Sequence, residues 1–181
     1  PASDGAIFLG ALKIIVDENM HDVDFLKGFT DSPVLVRTDT LQFLDPRDVV
    51  AGYKFPDFSK SYSGRVQALK PEQIERLGGM MVWDLNKKQA VPLHREQVGW
   101  HFANSGIEPA LTGTFRVKLL NGREVDVASI YQLYQVHLQD YDLDTTHQIT
   151  RSPKDLLVRY GRDSGTVKPA AMHNGEGVCH Y

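Results

Sequence analysis

The spacing of apolar and polar residues predicts a long first helix. Apolar side chains recur at helical intervals from Gly5 to about Asn19, and Ser3 or Asp4 can cap the helix start. The stripe expected to face the core is Ile7, Ala11, Ile14 and Ile15. Phe8, Leu9, Leu12 and Val16 widen that stripe, so the helix should be buried on more than one side.

The next part of the chain is less regular. Asp22 can cap a short helix carrying Phe25, Leu26 and Phe29, and residues 34–36 follow Pro33 as a strand candidate. From Asp39 to about Gly79 no period is sustained, although Pro71 is placed to begin one helical turn. Irregular excursions of this length are usually functional or inserted. We therefore predict that residues 39–128 form an insertion, which also contains two hairpins.

The first hairpin joins residues 80–84 to residues 90–94 across a polar turn. The second surrounds Asn121-Gly122, and its register follows from its charges. A two-residue loop would mix apolar and charged residues on one face. A three-residue loop of residues 120–122 puts Val117 beside Val125 and leaves opposite charges paired on the other face. Gly122 then takes the left-handed position of a bulge.

Two more helices and a final strand are predicted. Ser129 can cap a helix to about Gln139, with one face formed by Ile130, Leu133, Tyr134, His137, Leu138 and Tyr141. Ser152 followed by Pro153 predicts a helix that ends before Gly165, with Leu156, Leu157 and Tyr160 facing inward. Residues 169–172 then read as a buried strand, and residues 173–177 as a glycine-containing turn. This order predicts an α/β fold decorated by β-hairpins.

The sequence at the two ends of the chain bears on whether it is a whole domain or a fragment. An apolar pattern typical of a helix start follows Gly177 and stops at Tyr181, and the chain begins at Pro1 without an initiator Met. We therefore expect residues 1–181 to be an internal fragment of a larger domain.

Composition narrows the possible functions. With 41% apolar and 24% charged residues the chain has the balance of a globular protein. A net charge of −3 gives no reason to expect nucleic acid as a partner. The single cysteine, Cys179, excludes an internal disulfide and a cysteine-ligated iron–sulfur cluster within this chain.

Few side chains show a catalytic pattern. His137 lies on an apolar helical face, where a packing role is favoured over a ligand role. His94 and His101 have no acidic partner at a familiar metal spacing, and we expect no metal ligand in the chain. Asp142 and Asp144 are better explained as the approach to a helix than as a catalytic pair. The strand and glycine turn near the C-terminus are more informative, because such a turn lets backbone N–H groups approach a phosphate.

Several segments resemble the molybdopterin oxidoreductases of the dimethyl sulfoxide reductase family. Ser3-Asp4 matches a Pro-x-Thr/Ser-Asp motif that opens a helix there, and residues 24–26 and 30–37 fit the segments that follow. Residues 53–58, 77–84 and 142–181 look most like the catalytic alpha subunits of nitrite oxidoreductases. Nitrate, chlorate and selenate reductases share much of this pattern.

The resemblance implies a bis-(molybdopterin guanine dinucleotide) molybdenum cofactor. Within this chain it assigns cofactor contacts to Ser3, Asp4, His173, Asn174, Gly175, Gly177 and His180. The 4Fe-4S cluster ligands and the molybdenum ligand are expected upstream, so this chain alone should be inactive and metal-free. Glu176 stands where relatives often have a small residue, which argues against a phosphate contact from that side chain.

The implied activity is oxidation of nitrite to nitrate, and the alternative is reduction of nitrate, chlorate or selenate. Expected partners are an iron–sulfur beta subunit and a membrane-anchoring or haem gamma subunit, which would hold the enzyme at the periplasmic or cytoplasmic face of a membrane. A hypothesis of another class is a non-catalytic α/β module whose glycine loop binds a nucleotide or a protein partner.

Overall fold

The chain divides into a helical unit and a sheet unit. The computed structural model describes residues 3–54, 79–94, 99 and 105–167. The helical unit comprises Pro1–Asp22 and Tyr134–Tyr181, and the sheet unit comprises Val23–Leu133. In chain order the described elements are α1 (Asp4–Asp17), α2 (Val23–Phe29), β1 (Leu35–Arg37), α3 (Pro46–Val49), β2 (Gly79–Asp84), β3 (Gln89–His94), β4 (Thr114–Lys118), β5 (Glu124–Ser129), α4 (Ile130–His137), a 3-10 turn (Leu138–Tyr141), α5 (Leu143–Thr150) and α6 (Lys154–Thr166). This mixture confirms the α/β class, although every strand pair in the described residues is antiparallel.

Helix α1 is the centre of the helical unit, where it packs against the 3-10 turn, α5 and α6. It ends two residues earlier than predicted, because Asn19 adopts a left-handed conformation with φ of 54°. The Asn19 N–H then donates to Val16 O at 3.2 Å and the Met20 N–H to Ile15 O at 2.9 Å. These two bonds form a Schellman motif, which satisfies carbonyl groups at the helix end.

Glycines allow the helices to approach closely. A Cβ on Gly10 would lie 2.6 Å from Thr146 Oγ1 of α5, and one on Gly161 would lie 3.0 Å from Ile14 Cβ. A Cβ on Gly165 would lie 3.0 Å from Met20 Cβ. Any larger residue at Gly10 would force α1 and α5 apart or distort their side chains.

Helix α6 corrects three predictions. Pro153, and not Ser152, occupies the N-cap position, and no side chain caps the helix start. The helix includes Gly165 and ends at Thr166, and the absence of a side chain at position 165 lets Met20 pack closely there. Leu157 is buried as predicted, whereas Leu156 is exposed.

The sheet unit contains a three-stranded sheet, in the order β1-β5-β4, and the β2–β3 hairpin. Its core is a cluster of buried side chains from both sheets and the segments between them: Leu35, Leu44, Met81, Val117, Leu119, Val125 and Val127. Trp83 of β2 and Phe115 of β4 stack with ring centroids 4.3 Å apart. Aromatic stacking of this kind adds to the stabilisation from burial alone.

Both predicted hairpins are confirmed. In the second, Val117 pairs with Val125 and Phe115 with Val127, as the three-residue loop requires. Gly122 has a φ of +86°, and the Leu119 N–H donates to Arg123 O at 2.8 Å across the loop. The charged face also forms, since Arg116 Nε lies 3.0 Å from Asp126 Oδ1.

The segment after β1 is more regular than predicted. Leu44 N–H donates to Leu35 O at 3.0 Å, so the chain turns back along β1. Asp45 then caps α3 by accepting from the Arg47 N–H at 2.8 Å, with Pro46 in the first helical position. The sequence lacked a sustained period here because each element is only a few residues long. Residues 55–78, including the turn predicted at Pro71, lie outside the described residues, and the boundaries of the insertion remain a prediction.

The face predicted for α4 needs correction. Tyr131, which was not placed on it, is buried, whereas His137 is exposed and packs edge-on against Tyr141 at a centroid distance of 5.4 Å. The α-helix ends at His137 and a 3-10 turn follows, in which Leu138 is fully buried, as predicted. Ser129 does cap the helix, because its Oγ accepts from the Gln132 N–H at 3.0 Å.

No described helix is both long and apolar enough to cross a membrane.

We predict that Gly10→Ala destabilises the protein by about 1–3 kcal/mol, as expected for overpacking. The matched control is Gly5→Ala in the same helix, where a Cβ meets nothing within 4 Å. That change should be neutral or stabilising by up to about 1 kcal/mol, because alanine favours a helix more than glycine. Chemical denaturation measures both, and equal effects would contradict the close approach of α1 to α5.

A second prediction concerns the bulge. Gly122→Val should cost about 1–2 kcal/mol, because a side chain disfavours the left-handed backbone. The space around Gly122 is open, so the cost is conformational and not steric. Gly122→Asn should cost less, since Asn tolerates this conformation. Identical unfolding midpoints for the valine variant and the wild type would refute the argument.

Candidate functional site

The described part of the proposed cofactor site is the start of α1. Ser3 occupies the N-cap position, and its carbonyl accepts the Ile7 N–H at 3.1 Å. The side chain of Ser3 makes no capping hydrogen bond, contrary to one of the two alternatives from sequence. Asp4 is the first helical residue and lies in the first turn.

This geometry suits an anionic ligand. The first N–H groups of a helix have no partner within the helix, and the helix dipole concentrates positive charge there. A pyrophosphate group fits such donors. The Ser3 hydroxyl is not used in a cap and is half-buried, so it is available as one more donor. The Asp4 carboxylate, also half-buried, can accept N–H bonds from a heterocycle.

The second part of the proposed site lies outside the described residues. His173, Asn174, Gly175, Gly177 and His180 are all in residues 168–181. Their assignment as cofactor contacts, and the strand predicted before them, stay predictions.

The paired carboxylates have structural roles, as the sequence favoured. Asp142 caps α5 by accepting from the Thr145 N–H at 2.7 Å, and Asp144 forms an ion pair with Lys154. The backbone hydrogen bond from Thr145, with a further one from its side chain, lowers the pKa of Asp142. Neither carboxylate is therefore arranged for proton transfer with the other.

Sequence reasoning missed the buried carboxylate of Asp84. The side chain is fully buried, and its Oδ1 accepts from the Asn86 N–H at 3.0 Å and the Glu108 N–H at 3.3 Å. Oδ2 has no hydrogen-bond partner in the described residues, and Lys87 Nζ lies 3.8 Å from it. The signal in the sequence was an Asp two residues before Asn86 at a hairpin turn, which is typical of an Asx turn. Asp84 thus secures the hairpin turn to the segment around Glu108.

Metal ligands are not grouped in residues 3–54, 79–94, 99 and 105–167, where no set of three or more His, Cys, Asp or Glu side chains is placed to hold an ion.

Comparison with known proteins supports the family resemblance. The chain is 28% identical over 190 residues to the perchlorate reductase subunit alpha of Dechloromonas aromatica, an alignment that covers all of this chain and 20% of that protein. It is 29% identical over 182 residues to the respiratory nitrate reductase subunit alpha of Haloferax mediterranei, covering 97% of this chain and 17% of that protein. A dopamine dehydroxylase of Eggerthella lenta is 22% identical over 235 residues, which cover 23% of its length.

Two of these relatives are named as reductase alpha subunits, and the similarities are compatible with the resemblance found in the motifs. No protein-family model matches the chain. The chain spans about a fifth of the length of the relatives that it matches. None of these three relatives is named as a nitrite oxidoreductase, so that finer assignment rests on the sequence resemblance.

A pH-dependent prediction follows from the cap of α5. The pKa of Asp142 is lower in the folded than in the unfolded protein, so its stabilisation is present above the unfolded pKa and is lost as the pH falls through the folded pKa. Asp142→Ala should therefore lower the unfolding temperature at neutral pH, and the deficit should shrink in acid. Asp142→Asn keeps the acceptor oxygen without the charge and is the control. A deficit for the alanine variant that is constant with pH would contradict the role of the ionised cap.

Proposed function

We propose that this chain is part of the catalytic subunit of a molybdenum-dependent oxidoreductase that acts on an oxyanion. The observation that carries this proposal is similarity over the whole chain to the alpha subunits of a perchlorate reductase and a respiratory nitrate reductase. Because the chain covers only about a fifth of these proteins, the activity belongs to the larger protein and not to this segment by itself.

The favoured direction is reduction of nitrate or a chlorine oxyanion, since both relatives are named as reductases. The second candidate is oxidation of nitrite to nitrate, which is supported by the resemblance of residues 53–58, 77–84 and 142–181 to nitrite oxidoreductases. Reduction of the oxyanion and oxidation of nitrite would use the same cofactor, so the cofactor contacts proposed for this chain are the same for both reactions.

The cofactor proposed here is a molybdenum bis-(molybdopterin guanine dinucleotide), which when bound supplies the redox chemistry that moves an oxygen atom to or from the oxyanion. The first turn of α1 would hold an anionic part of it through backbone N–H groups and the Ser3 hydroxyl. Asp4 would accept N–H bonds from a pterin or guanine ring. The fit is chemical, because the described donors and acceptors match a ligand that has both phosphates and N–H groups.

The glycine turn is proposed as the second part of the cofactor site. Gly175 and Gly177 would let the backbone approach the cofactor, and His173 and Asn174 would add polar contacts. His180 would line the approach to the metal. These roles come from the family motif.

The proposed partners are an iron–sulfur beta subunit, which would take or deliver electrons through clusters, and a membrane-anchoring or haem gamma subunit. Both relatives are named as alpha subunits, which supports an assembly of several chains. A location at the periplasmic or cytoplasmic face of a membrane follows from that assembly.

The experiment is to purify the full-length protein with its copurifying subunits and to measure molybdenum by elemental analysis. We expect stoichiometric molybdenum, reduction of nitrate or perchlorate with a reduced dye, and a slower or absent reaction with nitrite and an oxidised dye. Nitrite oxidation as the faster reaction would favour the second candidate. Folded protein without molybdenum would exclude both and favour a non-catalytic binding module.

A matched pair of variants tests the site. Gly175→Val should lower molybdenum per folded molecule, because a side chain would displace the backbone from the cofactor. Leu138→Ala removes a fully buried side chain and should cost about 2–5 kcal/mol of stability without lowering molybdenum per folded molecule. Metal loss in proportion to unfolding for both variants would mean that the glycine turn is only structural.

A further inference from the structure

The Asn121-Gly122 loop has chemical properties that neither the fold nor the proposed function uses. Both residues are exposed, and they form the three-residue connection between β4 and β5 with Leu120. The side chain of Asn121 is held in place, because its Oδ1 accepts from the Arg123 N–H at 3.0 Å. A side-chain amide thus lies in a fixed turn directly before a glycine nitrogen.

The reactive groups are those of asparagine deamidation. In this reaction the backbone nitrogen of the next residue attacks the side-chain amide carbon. A side chain on the next residue hinders the attack, and glycine has none. At Gly122 the space is open, since a Cβ there would meet no heavy atom within 4 Å beyond its chain neighbours.

The hydrogen bond from Arg123 favours the same step electrostatically. As the nitrogen adds to Cγ of Asn121, negative charge develops on Oδ1. The Arg123 N–H already points at that oxygen, at 3.0 Å. A backbone N–H that stays within hydrogen-bond distance of this oxygen as the charge develops stabilises the transition state of acyl transfer.

One contact opposes the reaction. The Gly122 N–H donates to Leu119 O at 2.9 Å, and this bond is lost when the nitrogen is deprotonated. It is a single bond in an exposed loop, where water replaces the lost partner, so its net cost is small compared with that of a buried group.

We propose that Asn121 is a site of spontaneous deamidation in the folded protein. Hydroxide removes the Gly122 N–H proton, the nitrogen bonds to Cγ, and the Cγ–NH₂ bond breaks. Ammonia leaves with a proton from water, and a cyclic imide remains. Water then opens the ring at either carbonyl, which gives aspartate or isoaspartate. No electrons are exchanged and no reactant other than water and hydroxide is needed.

The two products differ in their effect on the hairpin. An aspartate at position 121 keeps an oxygen acceptor for the Arg123 N–H, so the loop can persist with one more negative charge. Isoaspartate adds a carbon to the main chain of a three-residue loop, which is incompatible with the register of Val117 and Val125. It also shifts Arg123, whose Nη2 lies 2.9 Å from Asp39 Oδ2. The modification is therefore a slow change that loosens this end of the sheet.

The internal control is Asn86. It is also exposed and also lies in a hairpin loop, but Lys87 follows it. Peptide mapping by mass spectrometry of the native protein, held in mildly alkaline buffer, measures the mass gain at each asparagine. We expect deamidation at Asn121 to be about tenfold faster than at Asn86, equivalent to a barrier lower by about 1.4 kcal/mol. Equal rates would overturn the proposal.

Two variants separate chemistry from loss of structure. Gly122→Ala should slow the reaction at Asn121 by about tenfold and leave the rate at Asn86 unchanged, which shows that the fold is retained. An unchanged rate at Asn121 would overturn the assignment of the nucleophile. Asn121→Asp, the product with a normal backbone, should unfold at the wild-type midpoint, whereas the isoaspartate-containing fraction should unfold earlier. A large destabilisation by Asn121→Asp would overturn the predicted difference between the products.

Discussion

The helical unit depends on the close approach of α1 to its neighbours. A Cβ on Gly10 would lie 2.6 Å from Thr146 Oγ1, too close without a shift of neighbouring atoms, and one on Gly161 would lie 3.0 Å from Ile14 Cβ, which is a tight contact. Because packed interiors do not yield to an added methyl group without strain, these glycines fix where α1 lies. The start of α1, where Ser3 and Asp4 sit, is thereby placed by contacts made one to three turns farther along the helix.

Charge and burial play different parts in the sheet unit. Its surface ion pairs, such as Arg116 with Asp126, are exposed and contribute to pairing register more than to stability. Asp84 is fully buried and accepts two backbone N–H groups from separate segments. Removing a buried acceptor leaves its donors unsatisfied, which is costly. This carboxylate therefore ties the β2–β3 turn to the segment around Glu108 more firmly than a surface pair does.

The proposed function rests on two observations, the geometry at the start of α1 and the similarity to reductase alpha subunits. A helix start with unused N–H groups and a free Ser3 hydroxyl is a general anion site, and by itself it does not specify a cofactor. The proposed identity of the cofactor comes from the family resemblance, with which the similarity to reductase alpha subunits is compatible, and the α1 motif suggests which atoms would take part. The relatives are far longer than this chain. The resemblance leads us to expect the ligands of the metal and of any cluster in the remainder of such a protein.

Local rules in the sequence determined the hairpins and the main helices. The register of β4 and β5 was predictable because a three-residue loop puts Val117 opposite Val125 on an apolar face and leaves the charged residues paired on the other face. Ser129 was predictable as a cap because a serine directly before an apolar helical stretch is a local signal for a helix start. The helical start at Ser3-Asp4 was also predictable, and these are the two candidate site residues that the structure describes.

Only the tertiary structure shows whether a glycine marks the end of a helix or allows close packing within it. Gly165 was interpreted as a stop signal, yet it lies inside the helix, which ends at Thr166, and it packs closely against Met20. Asp84 looked like an ordinary strand end, and one of its two backbone hydrogen bonds comes from Glu108, which lies 24 residues away. The exposure of Leu156 and the burial of Tyr131 likewise depend on neighbours that a local period does not encode. A sequence pattern reports what one segment prefers, whereas close approach and burial are set by a second segment that arrives from elsewhere in the chain.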